Sequence, residues 1–348
     1  NNLSPLRSAV RRSALTVCLA ERAAMRHDFP LMRTFIAALF LGFFSIFPAM
    51  ALSGATVDSG DRFPFVVEVK YQDNLICSGT VLFPRIVVTA AHCIQEKVQF
   101  RGGEVYANSY LLAAELTVTV THHGSSEDHA VAAVDASPVW RGLEADSTGQ
   151  RFAHDLALIV TKEPIDVGLP PSFDKLADDE TTGPEILSVR SADPAVSPRY
   201  EALRDVLETG LSHRGVLVAF GADKCSSLGQ CGDAGIRRYL PISIMASADC
   251  FNDSRGRPRY PPLPPELTAV LPLAVWCMES SVMPGDSGGA LLVEGAQGQL
   301  YYLGVISAQR GLFPEIAANA SERRSLATAL YPSLGFIATR ARALGYLP

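Results

Sequence analysis

The chain has 348 residues, with 36 Asp and Glu against 30 Lys and Arg, a formal net charge of −6 and a 48% apolar share. That balance argues against nucleic acid or an anionic membrane as its partner, and the length suits one large domain or two packed subdomains. Residues 1–31 carry scattered Arg, Ser and Ala with no strand or helix rhythm, and read as a translated leader or an over-extended gene start. From Met32 the pattern sharpens: Arg33 supplies a positive start, Phe35 to Phe47 is apolar apart from Ser45, and Ala49-Met50-Ala51 offers small residues around a cut. This is the pattern of a secretory signal peptide, and the run is shorter than the roughly twenty residues a bilayer span needs. The expected mature chain therefore begins at Leu52 and has 348 − 51 = 297 residues. Removing six Arg, one Glu and one Asp takes its net charge from −6 to about −10. The expected location is secreted or periplasmic, with no stable membrane anchor after cleavage.

Short β-rich runs broken by Gly, Pro, Asp and Asn follow, at Phe65 to Val69, Ile86 to Thr89, Leu116 to Val120, Leu156 to Val160, Val216 to Phe220 and Tyr301 to Ser307. Their spacing predicts an all-β barrel or sandwich. His122, His123 and His129 in "THHGSSEDH" could hold a metal, but the stretch reads as a polar loop after a strand, and no metal is expected. Residues 170–214, with one short helix near Tyr200 to Leu207, and the proline-rich stretch 255–272 read as surface insertions. Leu334, Ile337, Ala341 and Leu344 recur at helical spacing just after Pro332 and predict a closing helix. No internal sequence repeat is visible. Asn252 and Asn319 open glycosylation sequons, which matter only in a eukaryotic secretory route.

Cys18 falls in the discarded segment, leaving Cys77, Cys93, Cys225, Cys231, Cys250 and Cys277. An even number in an exported chain favours disulfides, with about fifteen possible pairings of six cysteines. Without a CxxC pair, a structural zinc site is disfavoured.

Three stretches carry chemistry. "PGDSGGALL" sets Ser287 between an aspartate and paired glycines, which alone could be an ordinary turn. "VVTAAHC" delivers His92 at the end of a β-branched run, and "HDLALIV" opens an apolar strand with Asp155. A serine hydroxyl is a poor nucleophile until a neighbouring base takes its proton, and an imidazole needs a carboxylate to fix its tautomer. One candidate for each role is present, in the order His, Asp, Ser.

At these residues the chain resembles the trypsin and chymotrypsin family of serine peptidases across residues 52–348. The resemblance implies two six-stranded antiparallel β-barrels with a C-terminal helix, the first barrel over about 52–170 and the second, with the helix, over about 171–348. It implies His92 as general base, Asp155 as its orienting carboxylate, Ser287 as nucleophile, and an oxyanion hole from the N–H groups of Gly285 and Ser287. The activity implied is a serine endopeptidase working through an acyl-enzyme on polypeptide substrates, with no cofactor, and with a protein inhibitor as a further partner. Cys77 with Cys93 matches the bridge that clips the histidine loop, Cys250 with Cys277 matches a second bridge, and Cys225 with Cys231 is left as a small local loop. Met283 stands where the family usually has another cysteine, so the pocket walls lose that tether.

Active members of the family begin with a small motif whose free ammonium pairs with the aspartate before the nucleophile. Leu52-Ser53-Gly54-Ala55 stands in that place, so the resemblance implies a pair between the Leu52 ammonium and Asp286, exposed by export itself. Ser281 falls at the base of the primary pocket, with Val282 beside it, and no carboxylate waits there for Lys or Arg. Ser307, Gln309 and Ala329 fall on the pocket's substrate-facing and narrowing positions, which suits a small or medium apolar residue before the cleaved bond. The alternative is a non-catalytic binding protein on the same fold, against which all three triad types are present. An esterase with the order Ser, Asp, His is excluded by a histidine that precedes the serine.

Overall fold

The computed structural model describes residues 49–50, 55–100, 103–140, 154–167, 172–173, 185–186, 214–222, 224–225, 231–232, 234–245, 275–280, 282–294, 300–309, 324–330 and 333–347. The signal run, Leu52, Cys250, Ser281, Asn252, Asn319, and nearly all of both insertions lie outside them. The chain divides into units 1–47 and 48–348, and every described residue lies in the second.

Six strands build the first barrel: β1 (Val66–Tyr71), β2 (Asn74–Phe83), β3 (Ile86–Thr89), β4 (Leu116–His122), β5 (Ser125–Ala136) and β6 (Ala157–Thr161). Its closed path runs β6-β3-β2-β1-β4-β5, with β5 returning to β6 in antiparallel register. The second barrel uses β7 (Arg214–Ala219), β8 (Arg238–Met245), β9 (Val275–Met278), β10 (Ala290–Glu294), β11 (Leu300–Gln309) and β12 (Ser325–Ala329). Its path is β11-β10-β7-β8-β9-β12, closed by antiparallel pairing of β12 with β11. Counted from each barrel's first strand, both rings read 1-2-3-6-5-4. The molecule is thus a structural repeat of two antiparallel barrels, although its sequence shows none.

Burial explains why some strands are easy to see and others are not. In β7, Val216 and Val218 join the cluster that includes the first barrel's core, while Leu217 and Ala219 join the second barrel's own interior. β10 divides the same way, with Ala290 and Leu292 on one side and Leu291 and Val293 on the other. Strands buried on both faces carry no alternation and read as continuous apolar runs. In β8, by contrast, exposed Pro241 interrupts the run, and Pro lacks the N–H a central ladder needs.

The stretch expected as a polar loop is instead a hairpin. His122 ends β4, His123 and Gly124 form the turn with φ of 49° and 77°, and Ser125 begins β5, where Ser125–Asp128 are exposed. A strand tip that projects beyond the core needs no apolar side chains, so its sequence looks like a loop. His129 points inward and is buried.

The closing helix is present as α1 (Leu334–Ala343), with Leu334, Ile337 and Ala341 buried on one face against the first cluster. A segment before β1 straps the barrels together. Thr56 and Val57 pair with Tyr239 and Arg238 of the second barrel. Arg237, 4% exposed, donates to Asp58 Oδ2 at 2.8 Å, to the Thr121 carbonyl of the first barrel at 2.8 Å, and to Asp61. A buried guanidinium with two carboxylates is fully paired, and removing either partner would strand a charge.

Candidate active site

Each barrel contributes from its strand ends. β3 ends at Thr89, and a single 3-10 turn over Ala91–Ile94 follows, which turns His92 out of the barrel while Ala91 and Ile94 stay buried. Asp155 stands two residues before β6 and is fully buried. Its carboxylate takes three donors: His92 Nδ1 lies 2.7 Å from Oδ2, the His92 N–H donates to Oδ1 at 2.9 Å, and the Ser307 hydroxyl donates to Oδ2 at 2.5 Å. The two bonds from His92 leave the imidazole one orientation, and the Ser307 hydroxyl supplies the third donor. The disulfide Cys77–Cys93, with Cα atoms 6.0 Å apart, ties β2 to this turn beside His92. Cys77, His92 and Cys93 gather closely, but both sulfurs are spent in that bond and offer no thiolate to a metal.

Ser287 enters from the second barrel on a turn just ahead of β10. Its hydroxyl donates to the Ser307 carbonyl at 3.2 Å. Ser307 on β11 therefore touches both halves, through its carbonyl at Ser287 and through its hydroxyl at Asp155. The turn is held by its own backbone: Asp286 N–H donates to Met283 O at 2.9 Å, Gly289 N–H to Asp286 O at 3.0 Å, and Gly288 N–H to Ile306 O at 2.7 Å. Among the described residues, the N–H groups of Gly285 and Ser287 make no hydrogen bond of ordinary geometry. Gly285 has φ of 94°, and Gly288 has φ of 85° with Ser78 O only 2.0 Å from where a Cβ would stand. Only glycine meets both demands at Gly288.

Asp286 is fully buried, and burial pushes its carboxyl up to about 7, against the pull of N–H donors from Met283 at 2.7 Å and Gly221 at 3.0 Å and of the Arg238 charge. Its expected partner Leu52 lies outside the described residues. Val282 is buried, and its N–H donates to the Ser325 hydroxyl at 3.2 Å, while Ser325 donates to Ser280 O at 2.9 Å. Ser325 also pairs with Gln309 across β11 and β12, so this unpredicted serine joins Ser280, Val282 and β11. Ala329 pairs with Gly304 and is buried in the second core.

Cys225 and Cys231 are register partners in a small three-stranded sheet, in which Ala49 pairs with Cys225 on its other side. Cys277 is disulfide-bonded. Asp61, His122 and His123 gather at the hairpin tip, His123 Nδ1 lying 3.1 Å from Asp61 Oδ2. The Asp61 carboxylate there is already engaged by Arg237 and by the His123 N–H.

A family model described as Trypsin matches residues 52–185. Over those residues the chain is similar to the trypsin family. Two relatives from Drosophila erecta, trypsin delta and trypsin gamma, are each 30% identical over 77 residues, covering 21% of this chain and 30% of theirs. The chain thus spans under a third of the length of these trypsins. The family match ends before β7, and beyond it the trypsin-like likeness rests on the second barrel's closed, six-stranded antiparallel form.

Proposed function

We propose that the chain is an exported serine endopeptidase that hydrolyses peptide bonds through an acyl-enzyme. The observation that carries the reading is the fully buried Asp155, which fixes His92 through two hydrogen bonds and reaches the Ser287 turn through Ser307. Ser287 Oγ attacks the peptide carbonyl, and its proton, now directed at Ser307 O, passes to His92 Nε2. The imidazolium formed is stabilised by Asp155 and then protonates the leaving amine; water repeats the cycle on the ester. The unspent N–H groups of Gly285 and Ser287 receive the oxyanion, each such donor being worth roughly a hundred- to a thousandfold in rate.

Activation follows from Asp286. A carboxyl buried this completely calls for a cation, and Val57 pairs with Arg238, whose charge already acts on Asp286. The Leu52 ammonium, freed when a signal peptide is cut after Ala51, fills that need, and the exported protein requires no separate propeptide. With Ser281 in place of a carboxylate, the substrate residue before the cut is small or medium and apolar. The test is digestion of an unbiased peptide library by chain beginning at Leu52, read by mass spectrometry. Cleavage after such residues, absent from Ser287→Ala, is expected; cleavage that survives Ser287→Ala would overturn the reading.

A further inference from the structure

Ser78 lies in the middle of β2, fully buried, and every polar group it owns is engaged. Its hydroxyl donates to Gly285 O at 2.8 Å and accepts the Phe220 N–H at 2.9 Å. Its N–H donates to Ser287 O at 2.7 Å, and its carbonyl accepts the Thr89 hydroxyl at 2.7 Å. Because the Phe220 N–H already occupies a lone pair of the oxygen, the hydroxyl proton has one direction left, toward Gly285.

We propose that Ser78 is the positioning residue that sets the oxyanion site, by anchoring the carbonyls of the same two residues whose N–H groups stay unspent, Gly285 and Ser287. The inference rests on the catalytic reading above. Its physical basis is the freedom of Gly285. At φ of 94° and without a side chain, this residue can rotate its two flanking peptides at little steric cost, and a rotated N–H no longer meets the oxyanion. The Ser287 carbonyl is tied to β2 through backbone alone, by an N–H that any residue but proline at 78 would supply. Among the described residues, the Gly285–Asp286 peptide is held at its N–H by Met283 O within the turn and at its carbonyl by the Ser78 hydroxyl, and the second is its tie to β2. Met283, at the head of the turn, offers no thiol for a covalent tether, so hydrogen bonds hold this segment.

The same serine couples the barrels. Thr89, which bonds the Ser78 carbonyl, ends the strand that leads to His92, and Phe220 leads to Gly221, whose N–H supports Asp286. A hydroxyl on the first barrel therefore aligns the second barrel's nucleophile turn with the base that its own barrel carries. The ligand of the aligned donors is the carbonyl oxygen of an acyl group as it becomes tetrahedral.

The test is Ser78→Ala, with Ser78→Gly as a second variant that cannot clash. In either, kcat should fall roughly ten- to a hundredfold while KM stays within about threefold, because an interaction used only in the transition state is lost. Affinity for a peptide boronate should fall by the factor lost in kcat/KM, and affinity for a product peptide should not change. Amide exchange across 283–289 should quicken in the variants, with exchange at the 122–125 hairpin unaltered. Unchanged kcat and unchanged exchange overturn the proposal, as does a loss of thermal stability with kcat intact. If the parent protein fails to react with a fluorophosphonate while Ser78→Ala still quickens exchange across 283–289, the anchoring stands and the catalytic reading falls.

Discussion

The two barrels share one strand order but meet the site by different means. The first presents side chains: an imidazole, a buried carboxylate with three donors, and a disulfide that fastens the turn carrying the imidazole. The second presents backbone: two N–H groups without a hydrogen bond among the described residues, on a turn whose glycines at 285 and 288 hold φ values of 94° and 85°. Side-chain sites tolerate small backbone shifts, whereas backbone sites depend on close packing and on the absence of a Cβ. Deleting atoms should therefore hurt most in the first barrel, and adding them should hurt most in the second.

The largest effect is expected from a deletion of function without loss of shape. Asp155→Asn keeps the volume but misdirects the His92 tautomer, and should lower kcat about ten-thousandfold with a normal thermal transition. Gly288→Ala, by contrast, places a methyl 2.0 Å from Ser78 O and 2.2 Å from the Thr89 hydroxyl at an unfavourable φ. It should cost more than about 4 kcal/mol in denaturant unfolding and abolish turnover together with the fold of the turn.

Asp286 gives the comparison a pH dependence. Its native carboxyl titrates near 7 while the unfolded value is near 3.8, so between these limits the native state holds more protons. Stability contributed by this group is therefore intact below the unfolded value and declines as pH rises toward about 7, by up to about 4 kcal/mol. Asp286→Asn should lack the decline, and so should chain starting at Leu52 if the ammonium reaches the carboxylate. Urea titrations from pH 4 to pH 8 on chain extended by one residue before Leu52, beside chain starting there, check both statements. A smaller effect belongs to the first barrel's covalent tie: replacing Cys77 and Cys93 with alanine should remove about 3 kcal/mol, as expected for a loop of 16 residues. It should leave the 283–289 turn as protected from exchange as before.

Much of the site was legible because its chemistry demands particular residue types. His92 at a strand end, Asp155 at the head of an apolar strand and Ser287 among glycines could be assigned roles without coordinates. Ser78 could not, since a serine within a strand signals nothing until the residue 207 positions away is brought to it. Arg237, Asp58 and Ser325 were silent for the same reason. The fold was legible where burial on one or both faces left an apolar pattern, as in β3 and β7. It was hidden in β8, where Pro241 interrupts the run, and in β5, whose exposed tip looked like a loop. The repeat of the barrels is hidden because hydrogen-bond order, and not side-chain identity, is what the two halves share.

The central claim is that Ser287 is an activated nucleophile. Intact-mass analysis of exported protein before and after treatment with a fluorophosphonate, beside Ser287→Ala, tests it most directly. The account predicts a chain beginning at Leu52 that gains one adduct, lost in the variant. A chain beginning at Leu52 that gains no adduct would contradict it and favour a binding protein built on two barrels.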